Sequence, residues 1–448
     1  MRTLSTSASP QASLLTITVW ISCMATGGCG GQSSPAPSAP PTLTTATTPP
    51  PATSPQPASP ERSSSKKNEP TFEHEVEFLR SHGTVEILEA PGGAKIAVSP
   101  DYQGRVMTSA VGANERSIGW INHAFIEAGK TGTQFDNYGG EDRFWLGPEG
   151  GQFALFFPRG TEYALKSWQT PSGLQEGAWT VAEKTPTRIL FRRSIKVTNH
   201  LGTDFSIDVE RTIDLLGPTD VERATGTPAG DGVKWVGFST TNRITNTGTK
   251  AWTKDTGLPS VWLLGQYNPA PDAYVIIPFE PGKGEVVNDR YFGKPPADRL
   301  RVDTADGYVL FKTDGNFRSK IGLRYERVKN VLGSYSASAN LLTVVAYDRP
   351  AQPPASGYVN SMWEKQKAPY AGDVVNSYND GPTEPGKASL GGFYELETSS
   401  SAAALAPKAS LVHTERTFHF SGDRAALEPL AKSALHVSLA KIAEGIPR

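Results

Sequence analysis

The chain has 448 residues, 44 Lys and Arg against 45 Asp and Glu for a formal charge of −1, and 37% hydrophobic residues. That balance offers no strongly charged face, and no basic run with interleaved aromatics is present, so nucleic acid is not expected as a partner. Length alone would allow two domains, although large β-sandwiches often run this long as one.

Arg2 is followed by an apolar core, Leu14 to Ile21, and then by small residues from Ala25 to Gly31, which is the layout of a secretory signal peptide. The apolar run falls well short of the roughly 20 residues that a membrane-spanning helix needs, and no later run is longer. Both cysteines, Cys23 and Cys29, stand at the end of this segment. Disulfide and thiol chemistry are therefore not expected in the rest of the chain. Ten prolines fall between Pro35 and Pro60 among Ser, Thr and Ala, a composition that forms no core and reads as a semi-extended spacer of about 3 Å per residue. The expected division is a signal over 1–29, a Pro/Ser/Thr-rich linker over 30–70 and one folded domain over 71–448.

The cysteine placement resembles that of bacterial lipoproteins, in which the cysteine after the apolar run becomes the lipidated first residue. Cys29 is the preferred site and Cys23 the alternative. A Leu is usual three positions earlier, where Thr26 or Trp20 stands here. The resemblance implies export, a membrane partner reached through an N-terminal lipid anchor, and a place in the cell envelope, periplasmic or at the surface. An ordinary cleavable signal is the other reading.

Alternation dominates the body of the chain. From Phe205 to Leu215 the odd positions are apolar except Arg211 and the even ones polar, which predicts a long antiparallel strand with one wet face. Further strands are expected over 189–197, 233–242, 261–264, 273–279, 308–312, 341–347, 393–398 and 411–420, separated by turns such as Asn246-Thr247-Gly248 and Asp314-Gly315. The fold class expected is all-β. Helical spacing is clear only near the C-terminus, at Leu430, Ala431, Ala434, Leu435, Leu439 and Ile442, with Pro429 as the first helical residue.

Four segments carry more polar and aromatic residues than packing requires. The Gly-rich run 137–151 reads as a shaped loop rather than a strand. It holds Glu141, Asp142, Arg143 and Trp145, and an Arg fork beside a flat indole suits a polar, ring-shaped ligand such as a sugar. Ion pairing within the loop is the alternative. The run from Asn288 to Gly293, with Arg290, has the same character, and there charge pairing on the surface is the better reading. Between Trp363 and Asp380, Asp373, Asn376, Tyr378 and Asn379 bring oxygen donors together. Calcium is conceivable there, but EF-hand spacing is absent, so no cofactor is assigned. In the fourth run, 391–398, Glu395 and Glu397 share one face of a strand about 7 Å apart, a spacing at which crowding suits one carboxyl to acid or base work. An exposed face with two glutamates is the alternative. His413 and His419 share a strand face with Glu415, and no His or Cys spacing suggests zinc.

Leu396-Glu397-Thr398-Ser399, the Leu405-Ala406-Pro407 loop and the closing strand 411–420 together resemble the galactose mutarotase-like superfamily. Ile244 to Gly248 is similar to its Thr-Asn-Thr turn, and Gly139-Gly140 with Arg143 to its early sugar-binding segment. Over about 75–420 the phrases Gly-Gly-Glu-Asp-Arg-Phe-Trp and Asn-Asp-Arg-Tyr-Phe-Gly resemble an uncharacterised bacterial lipoprotein family of that superfamily. The resemblance implies a large antiparallel β-supersandwich binding carbohydrate on a concave face, with Glu397 as base. It also implies a histidine acid after the Thr-Asn-Thr turn, and 257–263 contains none. Glu395 or His413 would then serve as acid, and Arg143, Trp145, Glu141, Asp142, Arg290 and Tyr378 as binders. The expected function is carbohydrate binding, with isomerase (aldose 1-epimerase-like), lyase or hydrolase activity open beside a non-catalytic glycan-binding or structural envelope role.

Overall fold

Alternating segments pair into antiparallel ladders of three, ten and five strands in the computed structural model, which describes residues 70–129, 134–382 and 386–446. The signal-like segment, both cysteines and the Pro-rich run lie outside the described residues. The ten-stranded sheet runs in the order Leu300–Asp303, Tyr308–Lys312, Ala273–Pro278, Val331–Ser336, Leu341–Tyr347, Ser410–Ser421, Lys234–Asn246, Asp204–Leu215, Arg188–Thr198 and Thr180–Lys184. The five-stranded sheet is ordered Ser319–Arg324, Asp373–Asn379, Tyr394–Ser399, Ser260–Tyr267 and Arg143–Gly147. The strands expected at 308–312 and 341–347 form with those bounds. The one expected over 233–242 runs on to Asn246, because its ladder with the Asp204–Leu215 strand continues to Ile207 opposite Asn246.

Side-chain period two decides which way each sheet faces. In the Tyr394–Ser399 strand, Tyr394 and Thr398 point at the ten-stranded sheet: the Tyr394 hydroxyl meets Ser334 Oγ at 2.8 Å, and Thr398 Oγ1 donates to Glu415 Oε2 at 2.6 Å. Glu395 and Glu397 therefore project from the opposite face. Along the Ser410–Ser421 strand, His413, Glu415 and His419 turn inward between the sheets, while Phe418 and Phe420 pack outward under Leu427, Leu430 and Leu435.

Between the sheets lies a polar layer. Arg211, the exception in its strand's alternation, is fully buried. Its guanidinium donates to Asp142 Oδ1 at 2.7 Å, to Asn242 Oδ1 at 2.7 Å and to the Gly104 carbonyl at 2.9 Å. Glu141, equally buried, accepts from the Ser109 amide at 2.6 Å and meets His419 Nε2 at 3.0 Å. Buried charge is tolerated here because nearly every donor and acceptor has a partner.

Three expectations need correction. The run 137–151 contains a strand, Arg143–Gly147, although its glycines and charges read as loop; pairing with the Ser260–Tyr267 strand overrides local composition. The C-terminus forms two helices, Arg424–Leu435 and Leu439–Glu444, and Pro429 lies inside the first rather than at its start. Helix also forms elsewhere, as at Phe72–His82, which Thr71 caps through its hydroxyl and which buries Phe72, Val76 and Leu79. Among the described residues, no helix is long and apolar enough to cross a membrane.

Candidate functional site

The outward face of the five-stranded sheet is the floor of a pocket, and register fixes its rows. Arg143 stands opposite Leu264, Leu264 opposite Glu397, and Glu397 opposite Asn376. In the next row Gln266 is paired with Glu395, Glu395 with Tyr378, and Tyr378 with Lys320. Trp145 and Trp262 pair at the far end. Close approach is needed beside this floor: a Cβ on Gly322 would lie 2.3 Å from Asp373 Oδ2 and 2.4 Å from Asn376 Nδ2, so the glycine makes room for both side chains.

Walls rise from the connecting segments. Phe135, Glu149, Trp168, Phe292, Trp363 and Phe393 line the pocket, with Leu165 and Leu390, both about 40% exposed, among its lining residues. The cavity has a volume of about 130 Å³. That is roughly ten times the ~10–15 Å³ that one water requires, so there is room for a multi-atom ligand.

Charge is concentrated on the floor. Glu397 Oε2 accepts from Trp262 Nε1 at 2.8 Å and from Lys320 Nζ at 2.9 Å, while its Oε1 has no partner. Glu395 Oε1 accepts from Arg143 Nη2 at 3.2 Å and from Gln266 Nε2 at 3.1 Å. Arg143 lies over the Trp145 ring at 3.9 Å, and its Nε and Nη1 lack partners. On the wall, Glu149 Oε1 accepts from Trp168 Nε1 at 3.0 Å.

Burial is the main electrostatic force in this pocket. It pushes the Glu395 carboxyl up to about 7, against the pull of Arg143 and with help from Glu397. Burial also raises Glu149, opposed by Lys320 and reinforced by Glu397. For Lys320, burial works toward neutrality, but Glu397, Glu149 and Glu395 together hold its ammonium above the usual lysine range. The floor therefore offers one carboxyl able to give or take a proton near neutrality, next to a second pinned by two donors.

Arg143, Trp145, Glu395 and Tyr378 line this one cavity, and Glu397 joins them through Trp262 and Lys320. Other residues expected at the site lie elsewhere. Glu141 and Asp142 are fully buried in the layer between the sheets, paired with His419 and Arg211, because the turn before the Arg143–Gly147 strand points them away from the pocket. Exposed Arg290 pairs with Glu285 at 3.3 Å, as expected of a surface loop, and does not line the pocket. His413 lies behind the sheet, 2.9 Å from Thr398 Oγ1, and burial lowers its imidazole to about 4. It cannot reach the floor. The oxygen donors from Asp373 to Asp380 turn to separate partners: Asp373 Oδ2 to Tyr291 and Asn288, with its Oδ1 left unpaired, and Asp380 to Tyr378 and the Gly391 and Gly392 amides. Among the described residues, no group of three or more His, Cys, Asp or Glu stands ready to hold a metal.

Lys320, Trp168 and Trp262 do not stand out in the sequence as site residues, whereas Glu149 lies within the singled-out run 137–151. Trp262 has a signal, since it lies in the stretch 257–263 where the mutarotase-like pattern places a histidine donor, and it supplies an indole donor to Glu397 instead. Lys320 has none, because Ser319–Arg324 is a short strand with charge near both ends and no clean alternation.

These features define an all-β, antiparallel protein with a charged, aromatic-walled pocket on the outer face of its five-stranded sheet. The chain belongs to the family of unknown function DUF6786, whose sequence profile matches residues 70–446. Among curated proteins no sequence matches it. Solved structures similar to it include a galactose mutarotase related enzyme of Lactobacillus acidophilus, at 10% identity over 76% of this chain and 98% of that one, TM-score 0.43. A galactose mutarotase-like protein of Lactobacillus casei is 12% identical over 75% and 100%, TM-score 0.40. A Synechocystis protein is 13% identical over 76% and 96%, TM-score 0.46.

Proposed function

We propose that the pocket binds a carbohydrate ring and that Glu395 and Glu397 exchange protons with it. The observation that carries this reading is the pair itself: two carboxyls two residues apart on one strand face, Glu395 lining an aromatic-walled cavity and pushed up to about 7, and Glu397 fully buried next to it and pinned by Lys320 and Trp262. Sugars present apolar C–H faces to aromatic rings and hydroxyls to carboxylates and guanidinium groups, and this lining offers both. Opening a hemiacetal takes a proton from the anomeric hydroxyl and delivers one to the ring oxygen. Glu397, with Oε1 free, is the acceptor in this reading, and Glu395 in its protonated form is the donor. The resemblance around Leu396-Glu397-Thr398 points to the same base.

A second reading, binding without turnover, is favoured by one feature: each carboxylate already has a cationic partner, Lys320 for Glu397 and Arg143 for Glu395. A glycan-array screen followed by a turnover assay on the bound saccharide separates the two. With turnover, the rate should fall as pH rises through about 7, because the acid-competent form of Glu395 is lost there. Binding without turnover selects the second reading. No glycan bound, or binding unchanged in Trp262→Ala, contradicts both.

The signal-like N-terminus and the Pro-rich run support export of this domain on a lipid tether at Cys29, or at Cys23. Mass spectrometry of the mature N-terminus should find a diacylglyceryl cysteine. An unmodified N-terminus beyond Cys29 would contradict the tether.

A further inference from the structure

The Phe292 and Trp363 rings, edge to face at 5.7 Å, form one wall of the pocket. Their chain neighbours Arg290, Met362 and Glu364 line a second cavity of about 340 Å³. Four cations, Arg290, Arg324, Lys365 and Lys367, border that groove against the single carboxylate Glu364. Arg290 shares its charge with Glu285, but among the described residues Arg324, Lys365 and Lys367 form no ion pair, and all three are exposed. On the pocket side of the wall, Arg318 lies 3.9 Å over the Phe292 ring and has no carboxylate partner among the described residues. On the floor, buried Arg143 keeps two donors without partners.

A neutral saccharide can accept hydrogen bonds from such cations but does not offset their charge, and holding several of them together costs mutual repulsion. A chain carrying regularly spaced anions relieves that repulsion and uses the planar donor fork of each Arg. Stacking Arg318 on Phe292 also keeps its fork in a fixed plane without neutralising it. We propose that the groove is an accessory subsite for an acidic oligosaccharide, with one ring in the pocket and its carboxylate- or sulfate-bearing neighbours along Arg318, Lys365, Lys367 and Arg324. This rests on the carbohydrate reading of the pocket and adds the charge class of the ligand.

The test uses an array of uronate-bearing, sulfated and neutral oligosaccharides, probed with wild type and with the double variant Lys365→Gln, Lys367→Gln. Both positions are exposed, so folding should be unaffected, which a melting curve checks. Acidic glycans should dominate the wild-type hits. The variant should weaken them about tenfold, each exposed charge contact contributing a factor of about two to five, while neutral glycans are unaffected. Added salt should have a similar effect. The uronate and sulfate arms show which anion is read. Hits that are mainly neutral, or an acidic preference that survives the double substitution, would overturn the groove assignment and leave the pocket reading standing. Absence of any glycan hit would overturn both.

Discussion

Replacing Glu397 by Gln is expected to lower turnover of the pocket's saccharide by about 10²–10⁴-fold, the usual contribution of a positioned acid or base, while leaving the sugar bound. The side-chain amide keeps an oxygen that can accept from Trp262 Nε1 and Lys320 Nζ, so the floor should hold its shape. What it loses is the basic lone pair on Oε1, the atom that has no protein partner. Lys320 stays buried beside Glu149 and Glu395, which limits the cost of removing its main counter-charge. Steady-state rates and binding constants measured together check the prediction. Unchanged turnover would remove Glu397 from the chemistry, and lost binding with lost folding would make it structural.

Arg211→Met should destabilise the fold by about 3–5 kcal/mol, the penalty for leaving one partner of a buried ion pair alone. Arg211 bonds to Asp142, Asn242 and the Gly104 carbonyl, and both it and Asp142 are fully buried, so no water replaces the lost donors. The effect should reach the pocket too. Asp142 directly precedes Arg143, and a turn that relaxes there would loosen the guanidinium stacked on Trp145. Urea titration and saccharide affinity are the two readouts. A loss of less than about 1 kcal/mol would mean that the polar layer between the sheets is not held by this pair.

Much of this architecture was legible in the sequence, for a physical reason. A period of two survives where one face of a strand is buried and the other wet, so Asp204–Leu215 announced itself, while Tyr308–Lys312 and Leu341–Tyr347, buried on both faces, read as short apolar, β-branched runs. Strands carrying site chemistry did not. Arg143–Gly147 and Asp373–Asn379 are buried throughout, and their polar side chains serve the pocket or its surroundings, which hid the alternation behind glycines and carboxylates. The same held for residues of the site. Glu395 and Glu397 were visible because their shared face follows from spacing alone. Lys320 lies one strand beyond Tyr378, and only the cross-strand register brings it to Glu397. Glu141 and Asp142 misled in the opposite direction, since neighbours of Arg143 in sequence turn to the other side of the sheet.

Crystals soaked with the tightest-binding saccharide test the central claim most directly. A sugar ring should lie over the Glu395 and Glu397 floor, walled by Trp262 and Trp363, with an oxygen within hydrogen-bonding distance of Glu397 Oε1 or of Arg143. A ring bound elsewhere on the protein, with this floor vacant, would contradict it.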